Sequence, residues 1–189
     1  MEEPMTSLGG QLLIAMPGMG DPRFERSVVF MCAHSEDGAL GLIVNKPTRD
    51  IHFLNLLEQL GLNVEPSHRD IRVHFGGPVE IERGFVLHSG DYIAEAATLQ
   101  VSETFGMTAT LDVLEDIAKG AGPSSALLAL GYSGWGPGQL ESEILQNGWL
   151  TCEASRDLVF DTDDNDKWEA ALKTLGVDPL TLSPSAGHA

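Results

Sequence analysis

Residues 28–47 read VVFMCAHSEDGALGLIVNKP, and this stretch decides the fold. Two apolar runs rich in β-branched residues, 28–33 and 40–44, flank the polar segment 35–38. An Asp-Gly pair between two such runs, here Asp37-Gly38, is a strong signal for a tight turn joining antiparallel strands. The stretch therefore predicts a β-hairpin that ends at Asn45-Lys46-Pro47.

The chain on either side of the hairpin combines short strands with helices. Apolar runs predict strands at 11–15, 71–75, 85–88, 99–102, 107–109, 126–130, 149–152 and 158–160. Asp21-Pro22 predicts a helical turn through Arg26, and apolar stripes predict helices after Asp50, after Thr110, over 139–146 and around Trp168, Ala171, Leu172 and Leu175. Early hairpins with irregularly placed helices indicate an α+β fold with a mixed, mostly antiparallel sheet.

Glycine and proline mark the predicted turns. We interpret Gly76-Gly77-Pro78 as a tight turn between two strands, and 131–138 as a glycine-rich loop before a helix. Free amides at the start of that helix can hold an anion. A structural turn, in which glycine supplies positive φ, explains the same residues without a ligand.

The composition excludes one broad class of function. The 189 residues include 28 Asp plus Glu against 11 Lys plus Arg, a net charge of −17. Generic nucleic-acid binding needs an excess of Lys and Arg, and anionic membranes repel so acidic a surface. The early bases, which end at Arg83, suggest an N-terminal half that meets an anion; an ordinary solvated surface is the alternative.

Length and cysteine content indicate the organisation of the chain. We predict one domain over 1–189, with 1–9 and 180–189 as loose tails. Two cysteines form no disulfide framework, and the start of the chain does not resemble a signal peptide. A cytoplasmic protein without membrane spans is expected.

Motifs of known chemistry do not occur in this sequence. The glycine patterns fit neither a Walker A loop nor a dinucleotide fingerprint, and the six histidines are scattered, so no cofactor and no metal are expected. Cys32 and His34 lie two apart on a predicted strand, where a nearby imidazolium would stabilise a thiolate. A buried structural cysteine is the alternative. Arg23 and Arg26 are candidates for an anion contact, unless they are solvated or pair with Asp21 and Glu25.

Several segments together resemble the YqgE/AlgH family of bacterial proteins. They are GQLLIAMP at 10–17, DPRF with RSVV over 21–29, Cys32 with His34, GLIVNKP at 41–47, GGPV at 76–79, RGFVLH at 83–88, and the residues around Tyr132, Trp135, Gln139 and Trp149. The resemblance implies a cytoplasmic α+β domain whose mixed sheet is partly barrel-like and flanked by helices. One branch of the family carries the label of a transcriptional regulator of alginate synthesis. The sequence shows no helix-turn-helix with a basic recognition helix.

These observations together favour a regulatory or adaptor protein over an enzyme. We expect contact with an unknown protein or a small anionic ligand, and no direct nucleic-acid binding. A thiol-based enzyme or redox switch using Cys32 and His34 is the alternative. The candidate binding residues are those of the motif turns: Pro17, Asp21, Arg23, Arg26, Asn45, Lys46, Gly76, Gly77, Pro78, Arg83, Tyr132, Trp135 and Gln139. A single site requires these turns to meet on one surface.

Overall fold

The predicted hairpin lies near the middle of one nine-stranded sheet in the computed structural model, which describes residues 7–17, 22–66, 70–94 and 98–179. In chain order the strands are β1 Gln11–Ala15, β2 Val28–Ser35, β3 Gly38–Ile43, β4 Val73–Phe75, β5 Val79–Ser89, β6 Thr98–Gln100, β7 Phe105–Thr108, β8 Ala126–Trp135 and β9 Trp149–Glu153. Their order across the sheet is β6-β7-β5-β8-β3-β2-β1-β9, and β4 also pairs with β8.

The pairing pattern confirms the predicted fold class. Strands β2 and β3 form the antiparallel hairpin, with Ser35 opposite Gly38, and β4 is parallel to β8 in an otherwise antiparallel sheet. The sheet curls into a half-barrel, so the fold is α+β with a mixed, mostly antiparallel and partly barrel-like sheet.

Helices cover both faces of the sheet. They are α1 Phe53–Gln59, α2 Leu111–Ala118, α3 Gln139–Leu145 and α4 Asp164–Thr174. The buried face of α4 packs on one side of the sheet through Trp168, Ala171 and Leu172. The other side is covered by α1 and α2 near β4, β5 and β8, and by α3 near β1, β2 and β3.

Burial on both faces explains why β2 reads as a continuous apolar run. Val28 and Phe30 join the core under α4, whereas Val29 and Met31 join the core under α3. A strand with one solvated face would instead alternate apolar and polar residues. The decisive stretch of sequence is therefore apolar because both layers of the protein pack against it.

Two predicted elements are wrong. Residues 131–135 of the predicted loop continue β8, because Ala39, Leu40 and Gly41 of β3 pair with them. The predicted strand at 158–160 is part of a π-helical turn, Asp157–Asp161, that buries Leu158 and Val159. A short apolar run does not distinguish a buried strand from a buried helical turn.

The Gly76–Pro78 segment, predicted as a tight turn between two strands, crosses over β8 from β4 to β5. Leu128 of β8 pairs with Val73 of β4 on one side and with Val86 of β5 on the other. The chain must therefore pass over β8 between these two strands. It does so at Gly131 and Tyr132, and a Cβ placed on Gly76 or Gly77 would overlap the backbone there.

Smaller corrections concern the ends of elements. His52, and not Asp50, precedes the first residue of α1. Residues 7–9 are not loose, because Leu8 packs against the core and its amide bonds to His34. The rest of the predicted tails, 1–6 and 180–189, lies outside the described residues. None of the described helices has the length and apolar character to span a membrane.

Candidate functional site

Seven of the predicted binding residues line three surfaces that share no lining residue. The Arg26 cleft is lined by Glu25, Arg26, Asn45, Lys46, Asp164, Asn165, Trp168 and Glu169. The hairpin groove includes His34, Asp37, Leu40, Val79, Tyr132, Gly134 and Trp135. The bulge groove is lined by Pro78, Glu80, Ile81, Glu82 and Arg83. The expected single site joining all motif turns is therefore not found on these surfaces.

The Arg26 cleft, of about 230 Å³, contains three of the predicted residues. They come from the turn before β2 and from the end of the hairpin, and the first residues of α4 close the opposite wall. Arg26 has φ +55°, in the left-handed region that non-glycine residues rarely occupy.

Asn45 holds the Arg26 turn in this conformation. Its Oδ1 accepts a hydrogen bond from the Val28 amide at 2.9 Å, and its Nδ2 donates to the Arg26 carbonyl at 2.9 Å. Ser27, between them, is fully buried, and its hydroxyl finds no hydrogen-bond partner among the described residues. Two adjacent residues thus depart from what stability alone favours, and such departures concentrate at functional sites.

The Arg26 side chain is positioned across the cleft. Its guanidinium lies over the Trp168 ring, 4.6 Å from the centroid, and 3.9 Å from Glu169. Lys46 Nζ donates to the Arg23 carbonyl at 3.1 Å, so Arg23 contributes backbone to the neighbouring turn. The cleft therefore presents an arginine on an aromatic platform and a lysine, with the carboxylates of Glu25 and Glu169 beside them.

A buried ionic network lies beneath the cleft. Asp164 accepts hydrogen bonds from His74 Nε2 at 3.0 Å and from Lys167 Nζ at 2.9 Å. Lys167 also donates to the Val44 carbonyl at 2.7 Å, and this contact ties α4 to the end of β3. Burial raises the pKa of Asp164, but the hydrogen bonds and charges of His74 and Lys167 outweigh it and lower that pKa to about 2. Burial also lowers the pKa of Lys167, against the opposing effect of Asp164.

Sequence reasoning missed this network. The predicted helix stripe included Trp168 and Ala171, and Asp164 and Lys167 share that face of α4 at helical spacing. A carboxylate and an ammonium on an apolar helix face are the available signal for a buried ion pair. The partner, His74, is 90 residues away in sequence, so no local pattern could identify it.

The structure does not bring Cys32 and His34 together as a reactive pair. A bulge interrupts the β2 register between Met31 and Ala33, and Cys32 belongs to the core under α4. Burial raises the pKa of the Cys32 thiol to about 12. His34 Nδ1 accepts from the Leu8 amide at 3.0 Å, which leaves Nε2 as the donor to Glu141. This arrangement is that of a structural cysteine beside a histidine with other partners.

We expect Cys32 to resist alkylation in the folded protein. The thiolate is the reactive form of cysteine, and burial disfavours it here. Iodoacetamide at neutral pH should modify neither Cys32 nor Cys152 in the native chain, since both are buried, and should modify both in urea. Mass spectrometry over time measures this directly. Modification of native Cys32 at the rate of a free peptide thiol would restore the thiol-switch alternative.

Hydrogen bonds to Glu143 hold α3 against the sheet. Glu143 Oε1 accepts from the indole nitrogens of Trp135 at 3.2 Å and Trp149 at 3.0 Å. Gln139 donates to Glu143 and accepts from the Gly136 amide. These bonds explain Trp135 and Gln139 as structural residues. They support the structural interpretation of this turn over an anion site at the helix start.

The other candidates have separate surroundings. Pro17 follows β1 and lines none of the three surfaces, and Asp21 lies outside the described residues. Gly76 and Gly77 serve the crossing over β8. Arg83 lies over the Phe85 ring and 3.7 Å from Glu80. Within the described ranges, no group of three or more His, Cys, Asp or Glu side chains could hold a metal ion.

The sequence and the fold were compared with those of known proteins. The family model described as AlgH-like matches residues 12–180. A UPF0301 protein of Cereibacter sphaeroides is 64% identical over 182 residues, which cover 96% of this chain and 99% of the relative. A UPF0301 protein of Ruegeria pomeroyi is 63% identical over 183 residues, with the same coverage.

Two solved structures share the fold of this chain. The solution structure of the AlgH protein from Pseudomonas aeruginosa superposes with a TM-score of 0.79 at 40% identity, and the match covers 100% of both chains. A crystal structure of a Corynebacterium diphtheriae protein shares the fold, with a TM-score of 0.71 at 22% identity over 92% of this chain and 90% of that one. The chain therefore belongs to the AlgH-like, UPF0301 family.

Proposed function

We propose that this protein is a regulatory or adaptor protein that acts by binding a protein segment or a small ligand in the Arg26 cleft, without direct contact to DNA. The observation that carries this proposal is the conformation of Arg26. Its left-handed backbone is held by both ends of the Asn45 amide at the rim of the cleft. A strained residue fixed in this way preorganises its side chain for a ligand.

The lining of the cleft supports a binding role. None of the described residues that line it is a serine, threonine, cysteine or histidine, so this lining lacks the usual hydroxyl or thiol nucleophiles and an imidazole base. Arg26 and Lys46 supply donors for an anionic group, and Glu25 and Glu169 supply acceptors beside them. This mixture suits a ligand or a peptide that carries both an anionic group and hydrogen-bond donors.

Charge is the argument against direct DNA contact. The net charge is −17, and the two cations of the cleft stand beside acidic side chains. A DNA-binding surface gathers Lys and Arg to displace counterions from phosphates. A regulatory effect of this protein would then pass through a partner or a small ligand.

Capture by charge-neutralised variants tests the proposal. Full-length wild type, Lys46→Gln and Lys173→Gln are immobilised, and bound proteins and small molecules from a bacterial lysate are quantified by mass spectrometry. Lys173 is an exposed lysine in the last turn of α4, outside the cleft, and serves as the matched control. We expect Lys46→Gln to lose at least one species that wild type and Lys173→Gln both retain. Identical capture by all three chains would contradict a binding role for the cleft.

A second measurement addresses DNA. Fluorescence anisotropy of a labelled duplex is followed as the protein is added at rising salt. We expect no binding at physiological salt, because the chain carries a net charge of −17 and carboxylates stand beside the two cations of the cleft. Tight binding that survives physiological salt would overturn the indirect mechanism.

A further inference from the structure

The first half of β5 bulges out of the sheet, whereas the second half pairs regularly with β8. Val79 pairs with Tyr132 of β8 and Gly84 pairs with Leu130, so residues 80–83 bulge outward opposite Gly131. Residues 79–83 are all exposed, and Ile81 is 58% exposed. Glu80 has φ +49°, the backbone signature of this bulge.

This half of β5 has an unpaired edge. Its neighbour β7 pairs only with Val86–Ser89, so no described strand lies beside residues 79–85 on that side. An exposed strand edge with free backbone groups is a template for another strand. Proteins that bind extended peptides use such edges, with main-chain bonds for affinity and side-chain pockets for specificity.

Two grooves that include residues of 78–83 offer places for side chains. Val79 lines the hairpin groove, of about 620 Å³, together with Leu40, Tyr132 and Trp135. The neighbouring residues Pro78, Glu80 and Ile81 line the bulge groove, of about 610 Å³. Apolar side chains of an added strand can therefore pack on Val79 and Ile81.

The charges around this edge select the kind of partner. Asp37, Glu80 and Glu82 line the two grooves, and the cation of Arg83 lies beside Glu80 and over Phe85. A second copy of this chain, at −17, would be repelled. We propose that the open edge of β5 binds an extended segment of a partner protein in which apolar residues alternate with lysine or arginine. This surface is separate from the Arg26 cleft, so the inference stands or falls independently of the proposed function.

Peptide titration of the full-length protein tests this inference. The probes are a short peptide of alternating Val and Lys and its counterpart of alternating Val and Glu, with binding followed by NMR and by amide hydrogen exchange. We expect the basic peptide to protect amides of residues 80–83 and to shift Val79 and Tyr132, and the acidic peptide to leave them unchanged. Binding of both peptides alike, or shifts confined to another surface, would overturn the proposal.

A matched pair of variants locates the contact. Ile81→Lys places a cation in the bulge, and Ile93→Lys makes the same change at a residue that is 60% exposed and outside both grooves. Both substitutions are at the surface and should leave the fold intact. We expect Ile81→Lys to weaken the basic peptide about tenfold or more and Ile93→Lys to leave its affinity unchanged. The proposal would be overturned if wild type and Ile81→Lys bound the basic peptide with equal affinity. It would also be overturned if the wild type were a dimer that Ile81→Lys dissociates.

Discussion

Replacing Gly77 with alanine is expected to lower the free energy of unfolding by more than about 4 kcal/mol, or to prevent recovery of folded protein. The reason is a backbone contact. The chain crosses β8 at this point, and a methyl group on Gly77 would overlap the Tyr132 carbonyl group. The two crossing segments cannot move apart, because β4 is paired to one side of β8 and β5 to the other side. Urea unfolding followed by circular dichroism measures the loss.

Two further glycines isolate the cause. A Cβ on Gly76 would overlap the Gly131 carbonyl, and no positive φ accompanies this contact, so Gly76→Ala should be comparably destabilising. Gly61 has φ +73° but nothing within 4 Å of a Cβ. Gly61→Ala should therefore cost only about 1 kcal/mol, the price of a left-handed alanine. If the free energy of unfolding fell by a similar small amount in all three variants, the crossing over β8 would not explain why glycine occupies positions 76 and 77.

Replacing Asp164 with asparagine is expected to lower the free energy of unfolding by about 3–5 kcal/mol. The variant leaves the buried Lys167 ammonium without its carboxylate, at a position where the Lys167 side chain is only 3% exposed. Lys167→Met made in the Asp164→Asn background should then cost much less than Lys167→Met in the wild type. Chemical unfolding of wild type, the two single variants and the double variant at neutral pH measures the coupling energy between Asp164 and Lys167.

Asp163→Asn is the matched control. Asp163 contacts Arg72 at 3.5 Å, as its neighbour Asp164 does at 3.7 Å, but its side chain is 74% exposed. An exposed ion pair contributes about 1 kcal/mol or less, so this variant should be nearly neutral. Equal losses from Asp163→Asn and Asp164→Asn would contradict the role given to the buried network.

The Asp164 network also predicts an acid dependence. Because its pKa is lowered to about 2 in the folded state, Asp164 contributes stability that is fully present above the unfolded value of about 3.9. That contribution is lost as the pH falls through the folded pKa. Asp164→Asn should therefore lose less stability than wild type between neutral pH and acid. Parallel acid dependences of the two proteins would contradict the lowered pKa.

Much of the fold follows from local pattern, and the errors share a cause. The hairpin at 28–47 is predictable because its apolar runs and its Asp-Gly turn agree. Gly76, Gly77 and Gly131 also have the composition of turn residues. In the structure they permit two backbone segments to cross, and β8 continues beyond Gly131. Close approach between distant segments uses the same residue type as a turn, so composition alone cannot distinguish the two.

The candidate site was predictable only in part. Arg26, Asn45 and Lys46 were named from the motif turns, and the structure places them on one cleft. Trp168 was predicted only as a core residue, and Asp164 was not identified. Both reach the cleft through α4, which packs against the hairpin from the far end of the chain. The prediction that Cys32 and His34 point to the same face of a strand assumed regular alternation, and a bulge in β2 interrupts that alternation.

We propose that the strained backbone of Arg26 serves binding and not stability. Arg26→Gly tests it most directly, because glycine adopts the same φ of +55° without strain while the guanidinium is lost. The lost contact with Trp168 and the relieved strain are each worth about 1 kcal/mol, so the free energy of unfolding should change little. The measurement is capture of lysate proteins and small molecules by the immobilised variant, beside its unfolding curve. We predict wild-type stability with loss of the species that Lys46→Gln also loses; unchanged capture by a fully folded Arg26→Gly would contradict the account.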